Sequence, residues 1–589
     1  MWRKIISRNS AVLFIILLIA VLLRFSNLNW DNNTHIHPDE RFLTMVNGAM
    51  KLPKDLFEYL DQQKSLFNPA NINFKFYVYG VFPLVLNKLI ALKINNDNYN
   101  LLTVQGRYLS AFFDLLIVGL VFLIVKLLEK KLGYSKTIKY WASFFYAVAV
   151  MPIQLSHFFA VDTFLTFFML VSLYFSLKLS DGKSLNLVFS GLTFGLALAC
   201  KANAVFILPL ILFALIASIL ERHKKINKDG LTELLFIILS FGLISYIALR
   251  FANPYYFETN DWFDLRISKL FMENLKTLKS WEGKDIWFPP AIQWINKKPV
   301  IFSLMNFAVF GVGIPYFLLI IVGMLKIFNP SSKLRTSGNQ VSRFTLHVLA
   351  LWVVGFFLYQ STQFVKAMRY FIFIYPFMAI FAAFGMNEFL LIIKRYSKKT
   401  VLSYVFYVLS VVLVLVWPLM FSSIYFHKHT RVEASEWIYD NLPNNSFILA
   451  EYWDDALPLS VGNNNGKTFR VEYLPVFDQD TPEKWERMND LLTMADYYIL
   501  SSNRGWGSIL SVPEKYPQMS QFYNDLLNSD CQLPQPDRLR KGWPDNLCYR
   551  KTKEFKPFYY RFFELPNQWA DESFTVYDHP KVLIYERIK

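Results

Sequence analysis

The chain has 589 residues, of which 54% are hydrophobic and only 18% are charged. Soluble domains carry about 25% charged residues, so this composition excludes an ordinary soluble protein and favours a polytopic membrane protein. The formal net charge is +16. The Lys and Arg residues concentrate in short loops between apolar runs, which is typical of orientation in a membrane and not of a nucleic-acid-binding groove.

Long apolar runs predict eleven transmembrane helices. The first run has no small-residue cleavage site after it, so we expect an uncleaved span and not a signal peptide. The spans are predicted at about 9–25, 106–128, 138–155, 160–180, 184–199, 203–220, 231–250, 301–327, 344–360, 367–393 and 401–425.

The distribution of basic residues orients these spans. With the amino terminus in the cytoplasm, the basic loops fall on the cytoplasmic side. If 75–93 also crossed the membrane, every later basic loop would lie outside, so we interpret it as an amphipathic helix at the outer interface. The outer side then holds 26–105, 251–300 and everything after about 426. We expect a multi-pass protein of the cell (plasma or inner) membrane with an extracytoplasmic C-terminal part.

The character of the chain changes after residue 426, where apolar runs shrink to the length of strands. Strands are predicted at 447–450, 497–500 and 582–585, with helical stretches between them. We therefore predict an α/β domain over 427–589, beside a transmembrane domain over 1–426.

The chain has three cysteines. Cys200 lies inside an apolar stretch, whereas Cys531 and Cys548 bracket a proline-rich loop of the predicted outer domain. An oxidising compartment favours a disulfide between such a pair, and two free thiols are the alternative.

A charged cluster follows the first span directly, in the sequence His35-Ile36-His37-Pro38-Asp39-Glu40-Arg41. Pro38 is expected to interrupt any helix that would separate these side chains. A solvated turn is the alternative interpretation. His35 and His37 share one face of an extended chain, but no third ligand is evident nearby, so we expect no cofactor, with a divalent metal as the alternative.

Further ionisable groups lie on the predicted outer side. Such groups at the ends of spans are costly to bury and are by default a functional hypothesis. For the basic residues, snorkelling to the interface is the alternative, and for the acidic one it is a helix N-cap. They are Asp162, at the mouth of the fourth span, and the basic residues Lys75, Arg107, Lys201, Lys366 and Arg369.

Carboxylates and cations on one side of a membrane suit displacement at a sugar carbon with a phosphate leaving group. The cations stabilise the departing phosphate oxygens. Phosphate leaves without being protonated, so one carboxylate suffices, as the base that takes the proton of the incoming hydroxyl.

Several short motifs resemble, in their order along residues 1–425, the GT-C membrane glycosyltransferases. Similar proteins are the bacterial phospholipid-carrier-dependent transferases of glycosyltransferase family 39, the protein O-mannosyltransferases and the lipid A aminoarabinose transferases. The motifs are His-Pro-Asp-Glu, the segment 75–83, Asp162 opening a span, 195–209 with Lys201, and Arg369-Tyr370 with Pro376.

The resemblance implies an inverting transfer of a monosaccharide from a polyprenyl-phosphate donor to an acceptor hydroxyl of a protein, lipid or glycan on the outer face. It implies Asp39 as the catalytic aspartate and Asp162 as the second acidic position. It also implies Lys75, and with a looser match Arg369, near the carrier phosphate. Lys75 is followed by Phe76-Tyr77, where the aminoarabinose enzymes have paired prolines, so its alignment stays open.

The remaining candidates complete this predicted site. Glu40 is a second carboxylate beside the base, and Lys201 and Arg107 are further phosphate-binding cations, with His37 and Tyr370 adjacent. A transporter or flippase of lipid-linked sugars is the alternative function. The chain lacks the internal duplication common in transporters, and its polar groups gather on one face, which favours the enzyme.

Overall fold

The computed structural model describes residues 8–132, 136–223, 228–329, 340–396, 400–462, 464–528, 547–564 and 569–588. Apolar helices build the part up to residue 426, and a mixed sheet with flanking helices follows it. The helices of the first part are α1 (Arg8–Phe25), α2 (Pro38–Ala49), α3 (Leu56–Leu60), α4 (Phe82–Lys93), α5 (Tyr99–Leu132), α6 (Ile138–Ala147), α7 (Val150–Ser156), α8 (Val161–Lys178), α9 (Ser184–Cys200), α10 (Leu208–His223), α11 (Lys228–Ala252), α12 (Lys269–Ser280), α13 (Pro289–Ile292), α14 (Ile301–Asn306), α15 (Ile314–Phe328), α16 (Gln340–Thr362), α17 (Tyr375–Tyr396) and α18 (Thr400–Ser422).

The helices make this a multi-span membrane protein, but the predicted count of eleven is not confirmed. Within the described ranges, seven helices are long and apolar enough to cross a membrane, or eight if one bent pair counts as a single span. The bent pair is α14 with α15, at 117° to each other, and the predicted span 138–155 is divided into α6 and α7. Pro315 and Pro152 follow the two breaks, where each lacks the N–H that would continue the helix.

The stretch 75–93 is helical only from Phe82 onward, as α4, and it does not count among the spanning helices. Residues 75–81, which precede this helix, are not helical, and Gly80 packs against the end of α9. The Gly80 N–H donates to the carbonyl of Cys200 at 2.9 Å, and a Cβ at Gly80 would lie 1.8 Å from the carbonyl oxygen of Ala199. Only glycine permits this approach, which fixes the neighbouring Tyr79 beside the end of α9.

The C-terminal part is the predicted α/β fold, with a five-stranded sheet in the order β2-β1-β3-β5-β4. Strand β1 runs parallel to β2 and β3, whereas β5 is antiparallel to β3 and β4. The elements are α19 (Thr430–Asn441), β1 (Phe447–Glu451), β2 (Arg470–Leu474), α20 (Pro482–Met494), β3 (Tyr497–Leu500), α21 (Arg504–Ile509), α22 (Pro517–Asn528), β4 (Cys548–Phe555), α23 (Glu572–Thr575) and β5 (Val582–Ile588).

The three predicted strands are β1, β3 and β5, which occupy the centre of the sheet. The sequence did not indicate β2 and β4, the two edge strands. Both carry charged, largely exposed side chains, as edge strands commonly do to resist pairing with other chains. Their sequences therefore lack the apolar pattern that identified the central strands.

The sheet domain contacts the segment 26–105, and the membrane side on which both lie stays a prediction. Arg41 pairs with Asp455 at 3.2 Å, and the ring of Tyr577 lies 4.2 Å from that of His37. The domain boundary at residue 426 stays a prediction. So does the disulfide, because Cys531 lies outside the described residues.

Candidate active site

The charged motif after the first span begins helix α2. Pro38 occupies the first helical position, where its missing N–H is not needed, so it starts a helix here and does not interrupt one. His37 caps this helix, its Nδ1 accepting a hydrogen bond from the Glu40 N–H at 3.3 Å. Asp39 and Glu40 consequently lie in the first turn about 100° apart, and their side chains meet different partners.

Glu40 belongs to a buried ion network with Arg107 and Asp31, hereafter the Arg107 network. The five N–H groups of Arg107 are all used: two for Glu40 at 2.8 and 2.5 Å, two for Asp31 at 2.9 Å, and one for the Leu28 carbonyl at 2.9 Å. Glu40 also accepts from the Phe159 N–H at 2.7 Å. Arg107 therefore has no N–H left for a phosphate, and Glu40 is 1% exposed with both carboxylate oxygens bonded within the protein, which does not favour the predicted role of either residue.

Asp39, Arg369, Asp162 and Lys201 form a second set of charges, hereafter the four-charge cluster. Asp39 is ion-paired with Arg369, which lies in the short 3-10 helix Met368–Ile374 ahead of α17. Asp162, in the first turn of α8, is paired with Lys201 at 2.8 Å. Asp162 is not the N-cap of that helix, because the cap residue is Ala160.

Two tyrosine rings join these pairs. The ammonium of Lys201 lies 5.8 Å from the ring centre of Tyr79 and 5.4 Å from that of Tyr370, and the guanidinium of Arg369 lies 5.6 Å from Tyr370. All four charged groups therefore face one space. The negative face of an aromatic ring attracts a cation, which helps to stabilise the charged form of a Lys or Arg side chain that is partly removed from water.

The electrostatics of Asp39 follow from this pairing. Burial alone would raise the pKa of its carboxyl, but the neighbouring positive charges, that of Arg369 foremost, and the hydrogen bond with Arg369 lower it to about 2. Asp39 is therefore ionised at neutral pH, and it is a weak base for as long as Arg369 holds it. Arg369 retains one buried N–H, on Nε, without a partner in the described ranges.

The two histidines of the motif have structural partners. His37 packs between Phe158 and Tyr577, at 4.5 and 4.2 Å, and burial lowers its pKa, which keeps it neutral. His35 contacts the side chains of Asn100 at 2.7 Å and Thr103 at 3.2 Å. In the described part of the chain, no three His, Cys, Asp or Glu residues are grouped as they would be to hold a metal ion.

Neither Lys75 nor Lys366 makes an ion pair or hydrogen bond with a described member of the four-charge cluster. Lys75 is exposed, and its ammonium has no ion pair or hydrogen bond among the described residues. Lys366 donates to the Phe364 carbonyl at 3.0 Å. Of the four predicted phosphate ligands, the structure thus brings Lys201 and Arg369 together, but not Lys75 or Arg107.

Two residues of this region were not predicted. Tyr79 contacts Lys201, and Tyr577 reaches His37 from the C-terminal domain. Neither has a spacing signal in the sequence, since Tyr577 is separated from His37 by nearly the whole chain. Gly80 is a local signal for Tyr79, because a residue without a Cβ permits the close backbone approach that positions its neighbour.

The family model for dolichyl-phosphate-mannose-protein mannosyltransferases matches residues 100–246. That range contains Arg107, Asp162 and Lys201. The apo oligosaccharyltransferase of Archaeoglobus fulgidus aligns with a TM-score of 0.50 and 12% identity, over 100% of this chain and 89% of that one. The chain resembles the GT-C membrane glycosyltransferases.

Two further structures are similar at 12% identity. The archaeal oligosaccharyltransferase AglB of A. fulgidus, in complex with an inhibitory peptide and a dolichol-phosphate, has a TM-score of 0.49 over 98% of this chain and 88% of that one. Apo ArnT from Cupriavidus metallidurans has a TM-score of 0.41 over 76% of this chain and 84% of that one. No curated protein sequence matches the chain.

Proposed function

We propose that this protein transfers a monosaccharide from a polyprenyl-phosphate carrier to an acceptor hydroxyl at the outer face of the cell membrane, with inversion at the sugar carbon. The observation that carries the proposal is the four-charge cluster, in which two carboxylates and two cations converge from four separate elements. Its pairs are partly open, with side-chain exposures of 22% for Arg369 and 35% for Asp39. A substrate can therefore reach both members of that pair.

The displacement follows from the charges. Arg369 and Lys201 receive the carrier phosphate, and their positive charge stabilises the oxygen that departs from the sugar. The acceptor oxygen forms a bond to the anomeric carbon while the bond from that carbon to the phosphate oxygen breaks. The phosphate leaves with the electron pair, and Asp39 takes the acceptor proton.

The ion pair between Asp39 and Arg369 makes this base depend on the donor. The low pKa of Asp39 reflects its contact with Arg369. When the donor phosphate competes for that guanidinium, the carboxylate loses its partner and becomes a stronger base. The reaction therefore proceeds in a fixed order, in which the donor phosphate binds before Asp39 can accept a proton.

Asp162 has a supporting role in this scheme. Its carboxylate accepts a hydrogen bond from the Lys201 ammonium at 2.8 Å and lies in the first turn of α8. This ion pair makes Asp162 an anchor for Lys201. It fixes Lys201 toward the phosphate.

An apolar groove suits the carrier chain. The groove has a volume of ≈ 750 Å³ and lies between α4, α9, α11 and the outer segment 52–67. Along α9 it passes Leu192 and Leu196, so that it leads toward Lys201 at the end of that helix. Its lining side chains are almost all apolar, which suits an isoprenoid chain.

Mass spectrometry tests the proposal. Purified full-length protein in sealed liposomes is incubated with a panel of polyprenyl-phosphate monosaccharides and candidate acceptors. We expect one donor to yield free polyprenyl phosphate together with an acceptor glycosylated in the inverted anomeric configuration. Movement of intact donor across the bilayer without cleavage of its sugar–phosphate bond would favour the flippase instead.

A further inference from the structure

A small polar cavity lies between the apolar groove and the four-charge cluster. It has a volume of ≈ 60 Å³, and its lining includes Lys75, Tyr79, Asn253 and Tyr256. Ala252, the residue before Asn253, lines the groove. At the other end, Tyr79 contacts Lys201 of the four-charge cluster. A lipid whose chain lies in the groove and whose phosphate reaches Lys201 would bring its head group past this cavity.

The cavity contains polar atoms without partners. Asn253 is 1% exposed and Tyr256 is 7% exposed. Both amide atoms of Asn253 and the hydroxyl of Tyr256 are buried with no hydrogen-bond partner among the described residues. A buried polar group left in that state costs about 1–3 kcal/mol, so such groups normally have a ligand or an ordered water.

The chemistry of Asn253 favours a ligand that both donates and accepts hydrogen bonds. Its side chain presents a donor and an acceptor together. A phosphate group has only acceptor oxygens, so it could use the amide N–H but would be repelled by Oδ1. A sugar hydroxyl both donates and accepts, and so does the hydroxyl of Tyr256 across the cavity. The volume has room for the edge of a sugar ring, its hydroxyls and little more.

We propose that Asn253 and Tyr256 form a subsite that binds hydroxyl groups of the donor monosaccharide. The inference rests on the proposed function, because it takes the sugar to arrive on a lipid phosphate. Lys75, which is exposed, also lines this cavity. Asn274 holds that segment by donating to the carbonyl oxygens of Lys75 at 2.7 Å and Tyr77 at 3.3 Å.

Two substitutions remove these polar groups with little change of shape, Asn253→Leu and Tyr256→Phe. Tyr255→Phe is the matched control, because the Tyr255 hydroxyl is already bonded to Ser65 at 2.7 Å and to the Tyr59 carbonyl at 2.9 Å. Full-length wild-type protein and variants are compared for binding of a polyprenyl-phosphate monosaccharide, of the same lipid without sugar, and of donors that each lack one hydroxyl.

For Asn253→Leu, we expect affinity for the sugar-bearing lipid to fall by about 10-fold or more, while affinity for the sugarless lipid changes by about 2-fold or less. For Tyr256→Phe the fall is smaller. The wild type should discriminate against one deoxy donor, and Asn253→Leu should lose that discrimination. Tyr255→Phe should bind both lipids as the wild type does.

Two results would overturn the subsite. If Asn253→Leu binds both lipids as tightly as the wild type, the cavity holds only water. If it loses both lipids equally, the residue serves the phosphate or the local fold. A wild-type protein that binds none of the sugar-bearing lipids would overturn the proposed function itself, and the subsite with it.

Discussion

Asp39 and Glu40 are neighbours in the chain, and each is paired with an arginine, yet the two pairs differ in exposure and in how many arginine N–H groups are used. The Arg107 network is completely buried, and Arg107 uses all five of its N–H groups within the protein. The pair of Asp39 and Arg369 is partly exposed, and Arg369 keeps a buried N–H without a partner in the described ranges. The first pair is fully satisfied and the second is not.

This difference separates structure from function. A buried charge set with complete hydrogen bonding holds its elements in one arrangement and offers nothing to a ligand. An accessible set with remaining capacity can exchange one partner for a substrate. Because α2 carries one member of each set, the Arg107 network also fixes the helix on which Asp39 is presented.

Substitution of Arg107 should disrupt the fully buried network and have the largest effect on stability. Arg107→Ala leaves the carboxylates of Asp31 and Glu40 buried without a cation, at a cost of about 3–5 kcal/mol. We expect loss of folded protein, measured as the yield of monodisperse protein in detergent and its unfolding temperature. Arg107→Lys retains the charge but not the bidentate hydrogen bonds, so it should restore stability only in part. Wild-type stability in Arg107→Ala would contradict the structural assignment.

Substitution of Arg369 should disrupt the partly exposed pair with Asp39 without unfolding the protein. Arg369→Ala removes a cation that we place at the leaving phosphate, and we expect turnover to fall by about 10²–10³-fold. Arg369→Lys should recover part of that loss. The unfolding temperature should stay near that of the wild type, because the pair is partly solvated. Full turnover by Arg369→Ala would show that the phosphate is held elsewhere.

Glu451 extends the comparison to a carboxylate with no paired cation in the described part of the chain. Its Oε1 accepts from Tyr498 at 2.6 Å and Tyr523 at 2.5 Å, while burial raises its pKa from 4.5 to about 7. The folded state therefore binds the proton more tightly than the unfolded chain, and stability should fall as pH rises from about 4.5 to about 7. Glu451→Gln should remove this loss, worth on the order of 3 kcal/mol.

Unfolding temperatures at pH 5 and pH 8 measure that effect. We expect Glu451→Gln to match the wild type at pH 5 and to exceed it at pH 8. An equal difference at both values would mean that Glu451 is ionised throughout.

The contact between Arg41 and Asp455 should give the smallest effect. Arg41 follows Asp39 on α2 and reaches the sheet domain, but its side chain is 42% exposed. Solvent screens such a pair, so Arg41→Ala, which leaves the separate bond of Asp455 to the buried Arg431 intact, should lower the free energy of unfolding by about 1 kcal/mol or less. Denaturant titration measures this. A loss of several kcal/mol would show that this contact is a principal link between the two parts.

The sequence predicted what depends on local pattern. Apolar run length located the helices, strand-length runs located β1, β3 and β5, and the motif with Asp39 and Asp162 identified two carboxylates that the fold brings to one space. It could not separate Arg107 from Arg369, because both are arginines at the ends of apolar segments. Only the three-dimensional partners of each guanidinium distinguish them.

Other differences arose from long-range packing. Tyr577 approaches His37 from the far end of the chain, and no periodicity encodes that contact. The helix breaks near Pro152 and Pro315 were readable in principle, because each proline stands just inside an apolar run. The start of α4 at Phe82 depends on the contact of Gly80 with α9, which lies outside the local sequence.

The central claim is that Asp39 is the base and that Asp162 anchors Lys201. Asp39→Asn and Asp162→Asn, measured side by side for turnover and for donor binding, test it most directly. We predict that Asp39→Asn loses about 10²–10⁴-fold in turnover while it binds the donor lipid nearly as the wild type does, because an amide cannot take a proton. Asp162→Asn should retain more turnover. An inactive Asp162→Asn with a merely slowed Asp39→Asn would contradict the account and reverse the two roles.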